Sequence, residues 1–130
     1  MAMQKKANGA NYRAGRGELT VRFETGGPTL VYVVCIWGPK PAFGGQRPRV
    51  WCSPTQDAKG GSATVAVPDG MAAAGAQITW SGGLVAPGET QGRLLVTVEQ
   101  DGAETGSYAY EFNFREKDQT ESFYDGLNFA

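Results

Sequence analysis

Apolar and polar residues alternate along several short stretches of the chain, and each such stretch predicts a strand. In residues 18–24 the side chains of Leu19, Val21 and Phe23 fall on one side and polar side chains on the other. This period of two is typical of a strand with one buried face. Residues 107–114 give the clearest signal, because four aromatic residues share one side and are expected to line the core: Tyr108, Tyr110, Phe112 and Phe114.

The other apolar stretches predict further strands, separated by glycine- and proline-rich turns. Residues 29–37 are apolar on both faces, as in a central strand. Shorter strands are predicted over residues 50–52, 62–67, 76–81 and 92–100. The TGGP segment at 25–28 predicts a turn between two strands, and residues 53–61 predict a loop.

This pattern predicts an all-β fold. About seven to eight short strands with frequent turns, and without a long helical period, are typical of an antiparallel β-sandwich. The arrangement could be immunoglobulin-like or jelly-roll-like, and a small barrel is the alternative within the same class.

Length and charge limit the number of domains and the kinds of partner that the sequence predicts. The chain has 130 residues, which predicts one domain, and 12 basic against 13 acidic residues give a net charge of −1. No overall field therefore favours nucleic acid as a partner. No apolar run is long enough to span a membrane, and the two N-terminal lysines are not followed by the apolar stretch of a secretory signal. The compartment stays open.

Two oppositely charged ends flank the predicted sandwich of residues 18–115. The N-terminal arm, residues 1–17, sums to +4 and is too polar to fold alone, whereas the C-terminal tail, residues 116–130, sums to −3 and carries aromatic pairs. We expect both ends to contact neighbouring molecules. An alternative for the tail is an eighth strand of its own domain, from Ser122 to Phe129. The predicted assembly contacts are Lys5, Lys6, Tyr12, Arg13, Arg16, Phe123, Tyr124, Leu127 and Phe129.

Residues 37–52, WGPKPAFGGQRPRVWC, combine cations, aromatic rings and prolines without a single acid. Flat rings beside cations suit stacking on sugars or bases, or docking on a protein, and the prolines lower the ordering cost of binding. Alternatively, the two tryptophans close the core and the arginines stack on them. The predicted contact residues are Trp37, Lys40, Phe43, Arg47, Arg49 and Trp51.

Catalytic and metal-binding patterns are absent from the sequence. It has no histidine, no nucleophile motif and no phosphate-binding glycine loop. A carboxylate pair such as Glu99 and Glu111 is the remaining route to catalysis, and Asp101 with Glu104 is a weak calcium pattern. We therefore expect no enzyme activity, no cofactor and no metal.

The two cysteines, Cys35 and Cys52, leave two interpretations open. A disulfide across a hairpin would close the loop between them and thereby contribute about 3 kcal/mol to stability. Otherwise Cys35, inside an apolar run, is a buried small hydrophobic residue.

The sequence thus predicts a protein that works by making contacts. We expect a non-enzymatic structural subunit of a larger assembly, such as a virion coat or decoration protein or a filament, with copies of itself or other subunits as partners. The alternative is a secreted or surface module that binds a glycan or a protein through the loop aromatics.

Overall fold

The computed structural model describes residues 4–8, 19–68, 75–100 and 103–128, and within them the all-β prediction is confirmed. Strands pair antiparallel in one sheet that curls into a half-barrel. The strands are β1 (Gln4–Asn8), β2 (Leu19–Trp37), β3 (Arg49–Cys52), β4 (Gln56–Val67), β5 (Gln77–Val85), β6 (Thr90–Gln100), β7 (Ala103–Phe114) and β8 (Thr120–Asn128).

The long strand β2 organises the sheet because two sets of strands meet on it. Residues 19–24 pair with β6, β6 pairs in turn with β7, and β7 pairs with β1. Residues 29–37 pair with β5, and β5 pairs in turn with β8. We call these sets the first wing and the second wing. β4 pairs with both halves of β2, and β3 pairs with its last residues.

The two halves of β2 meet at a bulge, not at the chain reversal predicted for residues 25–28. Thr25 lies opposite Gly61 and Thr29 opposite Lys59, so β2 carries two more residues than β4 across this interval. Gly27 has a φ of 90°, which glycine adopts without strain. The prediction of a turn was wrong because the continuous pairing with β4 holds both halves in one strand. The bulge is where β2 leaves β6 and joins β5.

The core lies between the two wings. Trp80 on β5 is fully buried, and its ring lies 5.0 Å from that of Tyr108 on β7. Phe123 on β8 contacts Tyr110 on β7 at 5.9 Å and Phe23 on β2 at 6.2 Å between ring centroids. The alternation in residues 107–114 therefore predicted the core side of β7 correctly, since all four aromatic side chains are buried.

A polar chain crosses this aromatic core and ties three strands together. The Trp80 indole N–H donates to the Tyr110 hydroxyl at 3.0 Å, and that hydroxyl donates to a carboxylate oxygen of Asp125 at 3.3 Å. Burial is the main cause that raises the pKa of Tyr110 above its ordinary value of 10.0; the bond from Trp80 lowers it and the charge of Asp125 raises it. The Trp80 indole N–H and the Tyr110 hydroxyl thus both have hydrogen-bond partners within the core.

Several strands extend beyond the residues predicted for them, β4 and β5 among them. β4 begins at Gln56, although residues 53–61 were predicted as a loop, and β5 continues through Gly82 and Gly83, which were predicted as a turn. Glycine at position 82 permits a close approach of two strands. A Cβ there would clash with the backbone carbonyl oxygen of Val31.

Both ends of the chain contribute an edge strand. The backbone of β1 pairs with β7, from Gln4 opposite Glu111 to Asn8 opposite Ser107. β8 lies beside β5, as in the eighth-strand alternative for the tail. Of the predicted assembly contacts, Phe123 is buried in the core and Tyr124 is 68% exposed. Four others lie outside the described residues: Tyr12, Arg13, Arg16 and Phe129.

Replacing Gly82 by alanine should destabilise the protein by at least about 2 kcal/mol, because the new methyl group meets the backbone of Val31. Urea unfolding measures the change. Gly26→Ala is the matched control, since a Cβ at that position meets no atom within 4 Å, and it should change stability by less than about 0.5 kcal/mol. Equal effects of the two substitutions would contradict the close approach.

The contribution of Tyr110 to the free energy of unfolding should be fully present below pH 10 and should fall as the pH rises above 10. The reason is that the buried phenol of the folded protein keeps its proton in this range, whereas the same phenol in the unfolded chain loses it. The loss should be at most about 1.4 kcal/mol per pH unit for this group. In Tyr110→Phe the decline measured by urea unfolding between pH 9 and 11 should be shallower. Tyr124→Phe, which removes an exposed hydroxyl, should leave the slope unchanged.

Candidate contact surface

The basic loop, residues 38–48, joins β2 to β3 and presents its side chains unequally. Phe43 is fully exposed at 104%, and Lys40 and the flanking Arg49 are also exposed. Arg47 is half-buried. The exposed members of this set are therefore one aromatic ring and two cations.

Short hydrogen bonds hold the base of the basic loop. Gly38 N–H donates to the carbonyl of Pro48 at 2.7 Å. The Arg47 guanidinium donates to the carbonyls of Gly38 at 3.0 Å and Gly75 at 2.7 Å, so it ties the loop to the segment that precedes β5. With three prolines in the loop as well, little conformational freedom remains to be lost on binding.

The residues that border the basic loop are fixed to the core. Trp37 is half-buried and donates its indole N–H to the Thr79 hydroxyl at 2.8 Å. Trp51 is half-buried and packs against the core cluster. A disulfide links Cys35 to Cys52, which lie opposite each other on β2 and β3. Phe43 thus projects from a braced base.

A second charged surface lies at the other end of the second wing, where two turns join. Ala86 N–H donates to the carbonyl of Gln119, and Asp118 N–H donates to the carbonyl of Ala86, both at 2.9 Å. This acidic corner comprises residues 86–89 and 115–121, with a net charge of −2. Its acids are Glu89, Glu116, Asp118 and Glu121, and its cations are Arg115 and Lys117.

Strand register places the basic loop and the acidic corner at opposite ends. At the loop end Trp37 lies opposite Gln77, whereas at the corner Val85 lies opposite Thr120. The eight residue steps along β5 between Gln77 and Val85 span about 26 Å at about 3.3 Å each. Residues 37–56 carry a charge of +3 without an acid. The wing is therefore positive at one end and negative at the other.

The carboxylates weighed for catalysis lie apart. Glu99 pairs with Arg22 at 3.0 Å, and it lies opposite Glu104 in the β6–β7 register. Glu111 lies opposite Arg93, about six residues or 20 Å along the strands. Asp101 lies outside the described residues. Within the described ranges, no three His, Cys, Asp or Glu side chains form a group that could hold a metal ion.

A shallow hollow of about 420 Å³ lies on the sheet near the β2 bulge. It is lined by Glu24, Thr25, Ser62, Arg93 and Leu95. Glu24 contacts Arg22 at 3.4 Å, so an ion pair neutralises its charge at the rim. The hollow offers a charged side chain of each sign, and Ser62 lies opposite Glu24 in the β2–β4 register.

Comparison with known proteins yields no matching family model, no similar curated protein and no similar solved structure. Among the described residues, no helix is long and apolar enough to cross a membrane. The function is therefore argued from the surfaces themselves.

Arg47→Ala should loosen the basic loop, because it removes the bonds to Gly38 and Gly75. Hydrogen exchange at the Gly38 amide should become at least tenfold faster. Arg49→Ala removes an exposed cation of the same type and should leave that exchange rate unchanged. Equal exchange in the two variants would show that Arg47 does not brace the loop.

Proposed function

We propose that this protein is a non-enzymatic structural subunit that assembles with copies of itself or with other subunits, as in a virion, decoration layer or filament, and that the basic loop makes the contact. The single observation that carries the proposal is Phe43, a fully exposed ring on a braced loop.

The exposed ring of Phe43 indicates a binding surface because hydrogen bonds hold the base of its loop. An exposed phenylalanine gains free energy when a partner covers it, about 25 cal/mol per Å² of apolar surface removed from water. If the ring were on a flexible segment, the conformational entropy lost when that segment became ordered on binding would offset much of this free energy. The loop instead carries the ring on a base tied by Arg47 and Pro48 and on a tip closed by the bond from Gly44 N–H to the Pro41 carbonyl at 3.2 Å. Such a residue fits the centre of a protein interface.

Lys40 and Arg49 indicate the charge that the partner surface should carry. Both are exposed, Lys40 in the loop that carries Phe43 and Arg49 directly after it, and residues 37–56 contain no acid. Cations around an apolar anchor favour an acidic partner surface and raise the rate of encounter. Nucleic acid is a poorer candidate, because the two tryptophans are half-buried and the Trp37 N–H is already bonded.

The alternative of a glycan-binding module depends on free aromatic faces. Sugar rings stack on exposed indole faces, but Trp37 and Trp51 are both half-buried at the loop base. Phe43 alone offers an open ring in the loop. These observations favour a protein partner over a glycan.

We also infer that the two facing wings form the two layers of a β-sandwich. Ring contacts between β5 and β7 and between β8 and β7 support this, since inner faces of packed sheets interdigitate in this way.

Phe43→Ser should weaken self-association at least tenfold, measured by sedimentation velocity over a range of protein concentrations. Gln91→Ser is the control, because Gln91 is another exposed residue, on β6, and belongs to none of the predicted contacts. It should leave association unchanged. A wild-type chain that stays monomeric at millimolar concentration would overturn assembly with copies of itself, as would an effect of Gln91→Ser without one of Phe43→Ser.

A further inference from the structure

Two rigid surfaces of opposite charge lie at opposite ends of the second wing, and this placement has a consequence for assembly. A contact between two unlike surfaces joins copies head to tail, whereas a contact of a surface with itself joins them as a closed pair. The basic loop does not suit a contact with itself, because its cations would face cations.

We propose that the acidic corner of a second copy of this chain is the surface that receives the basic loop. This inference rests on the proposed function, and it specifies the partner and the mode of contact. The corner presents the exposed carboxylates of Glu89 and Glu116 to Lys40 and Arg49, and the exposed ring of Pro87 to Phe43.

The acidic corner is braced as firmly as the basic loop. The paired bonds between Ala86 and residues 118 and 119 join its two turns, and Arg115 N–H donates to the Gln119 side chain at 2.9 Å. Asp118 adopts a φ of 65°, a left-handed conformation that aspartate tolerates. Neither surface therefore has to reorganise to meet the other, and little ordering opposes the contact.

Head-to-tail contact follows from the geometry of the wing. Because the loop and the corner lie at the two ends of β5, whose eight residue steps span about 26 Å, one copy can use both surfaces at once. Each added copy leaves one free loop and one free corner. The assembly is then a ring if the rotation closes and a filament if it does not.

Charge reversal tests the proposal with three variants of the full chain. The loop variant carries Lys40→Glu and Arg49→Glu, so both ends of the wing become negative. The corner variant carries Glu89→Lys and Glu116→Lys, so both become positive. Each variant alone should associate at least tenfold more weakly than the wild type in sedimentation velocity at low salt. An equimolar mixture of the two should associate again, since each acidic surface then meets a basic one.

The control variant carries Asp57→Lys and Glu111→Lys, which change the net charge as the corner variant does but lie on exposed strand positions away from it. It should associate like the wild type. Circular dichroism and urea unfolding of every variant separate a lost contact from a lost fold.

The outcomes distinguish this inference from the proposed function. If Phe43→Ser and the loop variant weaken association but the corner variant does not, the loop makes the contact and the corner is not its partner, so the inference fails alone. If the wild type is monomeric at all concentrations, the inference fails together with self-assembly, and the proposed function is left with other subunits as its only partners. Recovery of association in the mixture supports both, and absence of recovery overturns the pairing of loop with corner.

Discussion

The structure depends on the bulge between Thr25 and Thr29, where one strand passes from one set of partners to another. The two extra residues of β2 at this point let β6 pair with its first half and β5 with its second, while β4 follows both. Bulges bend a strand and increase its twist. The sheet consequently curls into a half-barrel, and the aromatic residues of β5, β7 and β8 meet in one core.

The same bend determines what the surface can do. With the sheet curled, the basic loop and the acidic corner project from the ends of one wing, and the core anchors both through Trp37 and the turn bonds of Ala86. The disulfide and Arg47 fix the loop where β2 ends.

Alternation predicted the strands well, because burial of one face imposes a period of two. It did not predict that β2 is continuous, since Gly26, Gly27 and Pro28 resemble a turn unless the pairing with β4 is known. β1 was missed because backbone pairing at a sheet edge requires no side-chain pattern. The composition predicted the basic loop, but the bracing role of Arg47 depends on Gly75, which is distant in sequence. The acidic corner combines two turns that are likewise separate in the chain.

The most direct test of the account is small-angle X-ray scattering of the wild-type protein at low salt over rising concentration. End-to-end contact predicts that the maximum dimension grows with concentration while the cross-section stays that of one subunit, and that added salt reverses the growth. Scattering from a compact monomer at every concentration, or growth in the cross-section, would contradict the account.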